Sequence, residues 1–534
     1  MKRCPTCNRV ETDETLKFCR LDGTLLVAAS ESESATMALP ASRPSEEFTT
    51  GRLRVTPSIA VLPFANMSTD PENEYFCDGL AEELLNALAK IENLKVAART
   101  SSFSFKGKNV NVDEIGRALH VNSVLEGSVR KSGNRLRITV QLINTTDGYH
   151  LWSERYDREM KDIFDVQDEI TLAVVDALKL KLLGDAKEAV LKRHHTKDSA
   201  AYQAYLKGRA LLYQRGLSIP KAIDCFTEAV SLDSEYAQAW AGLADGYTTS
   251  AYSGFGLARE VMPRALEAAR RALQLEPDLS EAHSALACAA LLYDLDFDLA
   301  EQEFTRALEL NPNYPQGRAW YGLFFLQWIA GREQEGRDEL LRLFQIDPLS
   351  SYANVILAFS GVSSGRLSEA VEHGRKGVEL DSNSYLAHWS LAAALAGSAQ
   401  YEEAAAMAER ALAISGRHSW ALMSLVSIYA AWEKPDSARA VHRELEARSE
   451  RQYIQPSMLA PAAAAVGDMD RAIAYAQQAL DDKDPLFVML ARTWPDYTGL
   501  RADPRFQEIV SQLGLPGWDV NKSPSGMKED SGAH

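Results

Sequence analysis

The sequence predicts a multidomain chain: a small metal-stapled segment at the amino end, an α/β domain, and a long all-α solenoid of stacked helix pairs. Three observations predict it. From Trp320, steps of 34 residues land on Asn354, His388, Leu422 and Pro456, and sixteen residues after each of these lie Gly336, Ala370, Ala404, Ala438 and Ala472. Small residues at constant offsets in such a period mark helix pairs that cannot bury their apolar faces alone and stack to do so. Upstream, Ser58-Ile59-Ala60-Val61-Leu62-Pro63-Phe64 is short, apolar and β-branched and is broken by proline, the pattern of a buried strand. At the amino end, Cys4, Cys7 and Cys19 crowd together.

Composition bounds the rest. At 534 residues the chain is too long for one core and apolar enough to fill several. A formal net charge of −17 argues against broad electrostatic binding to nucleic acid or anionic membrane, which needs a basic surface. No amino-terminal run has the plan of a secretory signal, and no 18-residue apolar stretch offers a membrane span. A cytoplasmic location is expected. Six cysteines are too few for a disulfide framework in this length, so the amino-terminal three read as metal ligands in a reducing compartment.

Residues 1–26 carry Cys4-Pro5-Thr6-Cys7, eleven further residues, and then Cys19-Arg20-Leu21-Asp22. This resembles a short zinc ribbon, in which two tight turns supply four ligands without needing an apolar core. Cys4, Cys7, Cys19 and Asp22 are the expected set for a structural zinc, with a carboxylate where such ribbons place a fourth thiolate. So short a segment would hardly fold without its metal. Residues 27–57, rich in Ser, Glu, Ala, Thr and Pro, read as a disordered linker.

Residues 58–183 alternate strand and helix signals. After the first strand, Asp78 reads as the cap of a helix with Glu82 and Glu83 in its first turn and Leu80, Leu84, Leu85 and Leu88 on its apolar stripe. Leu94–Ala98 reads as a strand and Val112–Leu119 as a helix. Ser123–Arg130 and Arg135–Ile143 then form a hairpin, a strand follows near Tyr149–Tyr156, and a helix runs over about Ile163–Leu182. The polar stretch Arg99–Lys108 reads as a loop over Phe103 and Phe105. The segments Ser58–Phe64, Tyr75-Phe76-Cys77-Asp78-Gly79-Leu80, Ala98-Arg99-Thr100-Ser101-Ser102-Phe103, Leu125-Glu126-Gly127-Ser128-Val129 and Tyr149-His150-Leu151-Trp152-Ser153-Glu154-Arg155-Tyr156 resemble the TolB-like domain of bacterial signalling proteins. That resemblance implies a regulatory or sensory module placed between an effector and a repeat array, and it brings no catalytic residues.

After a connector at 184–199, about eight repeats are expected over 200–484. Trp240-x-x-Leu243-Ala244-x-x-Tyr247 leads to Ala265, Ala269, Ala272 and Pro277, and His283-x-x-Leu286-Ala287 leads to Ala300, Phe304, Ala307 and Pro312. These spacings resemble the tetratricopeptide repeat, which implies a right-handed superhelix with a concave groove. Small residues let two helices approach closely while large ones fill the gaps between them. Residues 485–516, with Asp503-Pro504-Arg505-Phe506 before the last helix, read as a cap, and 517–534 as a disordered tail.

In related arrays the groove is lined at fixed repeat positions, here Arg318, Tyr321, Phe325, Trp328, Tyr352, Phe359, Trp389, Trp420 and Met423. Aromatic rings offer large contact area at low entropic cost, so a protein or peptide partner is expected there. The Lys and Asn set that clamps chaperone tails is missing. No phosphate-cradling glycine loop, zinc-protease helix, nucleophile elbow or kinase signature is found, and His194-His195 sits in a polar connector, so the chain is expected not to be an enzyme. Two function classes remain. One is an interaction scaffold or regulatory adaptor in signalling. The other is a transcriptional or signalling regulator whose ribbon contacts DNA or the transcription machinery.

Overall fold

The computed structural model describes residues 2–3, 10–11, 27–28, 57–89, 91, 94–178, 196 and 198–518. The chain divides into two units, Met1–Val55 and Thr56–His534. In the first, β1 (Lys2–Arg3) pairs antiparallel with both β2 (Val10–Glu11) and β3 (Val27–Ala28). Paired backbone therefore reaches Ala28, two residues past the boundary expected at 26. Cys4, Cys7, Cys19 and Asp22 lie outside the described residues, as do most of the expected linker, His194, His195 and the tail beyond residue 518.

The second unit begins with a mixed sheet in the order β6-β4-β7-β8-β9, with β5 also on β7. Its strands are β4 (Ser58–Val61), β5 (Ala65–Asn66), β6 (Lys95–Val96), β7 (Ser123–Ser132), β8 (Arg135–Asn144) and β9 (His150–Glu159). β4 lies parallel between β6 and β7 and is covered on both faces, which is why Ile59-Ala60-Val61 is apolar. Ile59 and Val61 enter the core shared with Phe76, Leu80 and Leu84, while Ala60 joins Ile115, Leu119 and Val124 on the other face. β7 and β8 form the expected hairpin, closed at Ser132↔Arg135 by Gly133-Asn134, with Gly133 at φ 58°.

Four helices complete this domain: α1 (Glu74–Ala89), α2 (Arg99–Phe103), α3 (Val112–Leu119) and α4 (Ile163–Ala177). Two expectations change. α1 starts at Glu74, so Asp78 is not its cap; a turn at Pro71–Asn73 begins the helix, and Asp78 joins Glu74 in pairing with Lys106. The stretch expected as a loop opens with α2 instead.

The rest is a tetratricopeptide-like helical array. Eight helix pairs follow among the described residues. They are α5 (Ser199–Gln214) with α6 (Ile219–Leu232), α7 (Ala237–Tyr252) with α8 (Ala258–Leu275), α9 (Ser280–Ala289) with α10 (Phe297–Leu310), and α11 (Pro315–Ala319), extended to Ile329, with α12 (Glu333–Ile346). Then come α13 (Ser351–Ser363) with α14 (Leu367–Leu380), α15 (Tyr385–Gly397) with α16 (Tyr401–Ser415), α17 (Ser419–Ala431) with α18 (Pro435–Ser449), and α19 (Pro456–Ala465) with α20 (Met469–Asp481). The small residues of the 34-residue period sit where helices touch: Ala370, Ala404 and Ala472 are fully buried, and a Cβ on Gly336 would lie 2.5 Å from the Gly322 carbonyl oxygen. Over Trp320–Ile329 the helix widens, and Ala330 N–H donates to the Phe325 carbonyl at 2.8 Å, one residue beyond the α-helical partner.

The array curls far enough for its second pair to meet the seventh and eighth. Gln455 Nε2 donates to the Tyr252 carbonyl at 3.3 Å, and His418 Nε2 bonds the Ser253 carbonyl at 3.0 Å. Burial holds the His418 imidazole down to about 4, so it is neutral. The last helices among the described residues are α21 (Pro485–Leu490), α22 (Thr498–Arg501) and α23 (Pro504–Ser511), gathered around Phe487, Tyr497 and Phe506. Among the described residues no helix is long and apolar enough to cross a membrane.

Candidate functional site

The α/β domain is docked on the array, and the polar contacts of that junction surround a cavity. Tight packing comes first: a Cβ on Gly79 of α1 would lie 2.6 Å from the Leu206 side chain of α5, so a larger residue there would have to displace it. Beside it Tyr202 sits between Phe76 and Phe164, and Gln167 Nε2 donates to its hydroxyl at 2.6 Å.

Glu82, on the same face of α1, is buried and joins both regions. Its carboxylate accepts from Arg99 Nε at 2.8 Å, Arg209 Nη2 at 2.9 Å and the Tyr213 hydroxyl at 2.9 Å. Burial pushes this carboxyl up, but the Arg99 and Arg209 guanidiniums outweigh it, and it titrates below the usual glutamate range. The Arg99 guanidinium lies between the rings of Phe103 and Tyr213, 4.2 Å from each centroid. A second contact ties α2 to the end of α12. Ser101 donates from its N–H at 2.8 Å and its hydroxyl at 2.6 Å to Asp347 Oδ1, and accepts from Leu349 N–H at 2.9 Å. Both side chains are buried, and burial pushes the Asp347 carboxyl above its ordinary range against the pull of the Ser101 bonds.

These contacts wall a cavity of about 270 Å³, closed on the array side by Arg215, Gln316, Tyr352 and Tyr385. A smaller apolar chamber of about 50 Å³, lined by Phe324, Trp328, Phe359 and Trp389, shares Arg215, Tyr352, Val355, Tyr385 and Leu386 with it. Arg215 follows α5 with φ 59° and ψ −171°, a conformation that glycine adopts freely and other residues adopt at a cost of about 1–3 kcal/mol. Its Nη2 donates to Gln316 Oε1 at 2.6 Å, its Nη1 reaches Thr249 Oγ1 and the Tyr252 hydroxyl at 3.4 Å, and the guanidinium lies 5.2 Å from the Tyr352 ring centroid.

The residues expected to line an open groove divide three ways. Arg318, Phe325 and Met423 are packed inside the array. Arg318 donates to the Pro312 carbonyl at 2.8 Å and pairs with Glu339, and Phe325 stacks on half-buried Tyr321 at 5.9 Å. Trp328, Phe359 and Trp389 do face one another across the curl, but the chain's own Trp494 fills the space between them, at 5.8, 5.6 and 5.8 Å. Trp420 extends that column, 4.9 Å from Trp389, and its indole N–H donates to Gln455. Only Tyr352 borders the larger cavity. The physical reasons are the widened helix at Trp320–Ile329, which shifts faces assigned on a 3.6-residue period, and the return of residues 485–494 into the concavity.

Sequence reasoning missed Glu82, Arg209 and Tyr213 as a cluster, Asp347 as the partner of Ser101, and Arg215. No spacing signals them, because each is defined by a partner far along the chain. Among the described residues no group of three or more His, Cys, Asp or Glu side chains has metal-binding geometry.

Residues 55–173, which hold the α/β side of this junction, match the family described as HilA/YgeH-like transcriptional regulator, second domain. Over 240 residues the chain is 40% identical to "Putative adenylate cyclase 3" of Rhizobium meliloti (strain 1021), covering 45% of this chain and 41% of that protein. The chain thus spans about two fifths of that relative's length. This relative corrects the expectation that the chain is not an enzyme, since a protein sharing so much of its sequence bears the name of a catalyst. Among solved structures, Pseudomonas aeruginosa PilF is 22% identical with a TM-score of 0.32, covering 41% of this chain and 94% of its own. The tetratricopeptide protein TTC0263 of Thermus thermophilus is 20% identical with a TM-score of 0.31, covering 37% and 99%. Human IFIT1 is 16% identical with a TM-score of 0.40, covering 59% and 77%.

Proposed function

We propose that this chain is a regulatory adaptor in bacterial signalling, in which the helical array binds a protein or peptide partner and the docked TolB-like domain senses or relays a signal to it. The observation that carries the reading is the junction itself. Two charged or polar clusters, Glu82 with Arg99 and Arg209, and Ser101 with Asp347, hold α1 and α2 against α5 and α12. Moving one part against the other breaks several buried bonds together, so the contact favours discrete arrangements over gradual sliding. The match of residues 55–173 to a domain of transcriptional regulators, and the name of the relative, support a signalling setting.

The proposed partner surface is the concave side of the array, with Tyr352 reachable directly and Trp328, Phe359 and Trp389 reachable when residues 485–494 lift away. Affinity capture from the native lysate tests this: Trp494→Ala is expected to raise the yield of captured partner, and Tyr352→Ala with Trp389→Ala to lower it. Capture that neither change alters would exclude this surface. In the first unit Cys4, Cys7, Cys19 and Asp22 are proposed to hold a structural zinc, and a zinc content near zero after chelator-free purification would refute it.

The family match favours keeping a second reading, a transcriptional regulator whose ribbon contacts DNA or the transcription machinery. It expects a salt-sensitive mobility shift of DNA that disappears when residues 1–57 are removed. No shift at low salt would end its DNA-binding form.

A further inference from the structure

Arg215 takes no part in the ion pairs that dock the α/β domain, yet it sits at the heart of the cavity. Its backbone lies where glycine belongs, and Gly216 follows at once with φ 56°, so the chain had an unstrained alternative next door. Strain of this kind persists where surrounding structure imposes it, and it gathers at sites that bind. What the strain achieves is to point a guanidinium into the junction. Gln316, Thr249 and Tyr252 fix two of its nitrogens, Nε has no hydrogen-bond partner among the described residues, and no carboxylate of those residues lies within ion-pair distance. Asp245 is held one hydroxyl away, accepting from Thr249 Oγ1 at 3.0 Å.

Each acidic group of the cavity has a donor of its own, although Asp245 behind Thr249 still acts on Arg215 through space. Glu82 is engaged by Arg99 and Arg209, Asp347 by Ser101, Glu281 by the Ser280 hydroxyl and Asp381 by the Asn383 N–H. Arg215 also stands at the boundary of the two chambers, polar on one side and aromatic on the other. An oriented guanidinium beside an apolar recess recognises an anion that carries an apolar body.

We propose that this junction is a binding site for a small amphipathic organic anion, its carboxylate paired with Arg215 and its apolar part seated among Tyr352, Val355, Tyr385 and Leu386. This site stands whether or not the array also binds a protein partner, and it touches both the α/β domain and the array, so its occupancy would be felt by both.

The test uses the purified full chain with 3-phenylpropionate as probe and its uncharged amide as control, read by thermal shift and tryptophan fluorescence. The acid is expected to raise the melting temperature and to bind at least about tenfold more tightly than the amide. Arg215→Gly relieves the backbone but removes the bonds to Gln316, Thr249 and Tyr252, so its fold is checked by circular dichroism, and in the folded variant affinity for the acid is expected to fall at least about tenfold. Equal binding of acid and amide in the parent chain, or no binding of either at millimolar concentration, would overturn the proposal without using any variant. So would unchanged affinity in a folded Arg215→Gly chain. Failure of partner capture would leave these outcomes unaffected.

Discussion

The array makes two internal contacts of opposite character. Against the α/β domain its contacts include charge: Arg209 and Tyr213 meet Glu82 and Arg99 at one point of the junction, and Asp347 meets Ser101 at another. Against residues 485–494 it offers rings, with Trp494 enclosed by Trp328, Phe359 and Trp389. Apolar burial stabilises roughly in proportion to area and tolerates sliding, whereas a buried ion pair is worth little net but is costly to leave half made. The aromatic contact therefore holds the curl of the array together, and the polar one fixes how the α/β domain sits on it.

Substitutions should separate the two. The largest effect is expected from Trp494→Ala, which removes a fully buried indole and leaves a cavity costing about 3–5 kcal/mol, measured by chemical unfolding. It should act at every pH. Glu82→Ala should cost about 3 kcal/mol, because two enclosed guanidiniums lose their shared partner. This loss depends on pH. Glu82 has its carboxyl depressed in the folded chain, so its contribution is complete above the unfolded value of about 4.3 and disappears as pH falls through the lower folded value. The gap between Glu82→Gln and the parent should accordingly be widest near neutrality and close in acid. If it held constant down to strongly acidic pH, the charged account of the junction would fail.

Smaller effects sharpen the contrast. Ser101→Ala removes one hydroxyl bond to Asp347 and the acceptor of Leu349 N–H, for about 1–2 kcal/mol. As a control, Asp113→Ala breaks an exposed pair with Arg117 on α3 and should change stability by less than about 0.5 kcal/mol. A comparable loss from both would remove any special standing of Ser101.

Local pattern made much of the fold legible. The apolar run Ser58–Phe64 forms a strand over Ser58–Val61, where both faces are covered, and Val112–Leu119 is helical over the residues its periodicity indicates. The 34-residue recurrence of small residues marks the helix contacts for a steric reason, visible at Gly336. Asp78 misled because an acidic residue before an apolar stripe reads as a cap, while the real start is set by Pro71–Asn73 and the Lys106 pairing. The site was far less legible. The groove positions presuppose regular α-helical faces and an empty concavity, and the widened turn at Trp320–Ile329 and the returning Trp494 change both. Arg215 carries no signal in its neighbours, since its hydrogen-bond partners come from segments up to 101 residues away.

The central claim is that the α/β domain and the array are held as one cooperative body through the Glu82 junction. Hydrogen exchange followed by mass spectrometry tests it most directly, comparing the parent with Glu82→Gln at neutral pH. The account predicts that α1, α2, α5 and α12 lose protection together in the variant, while the aromatic column around Trp494 keeps its own. Loss confined to α1 and α2, with α5 and α12 unchanged, would contradict it.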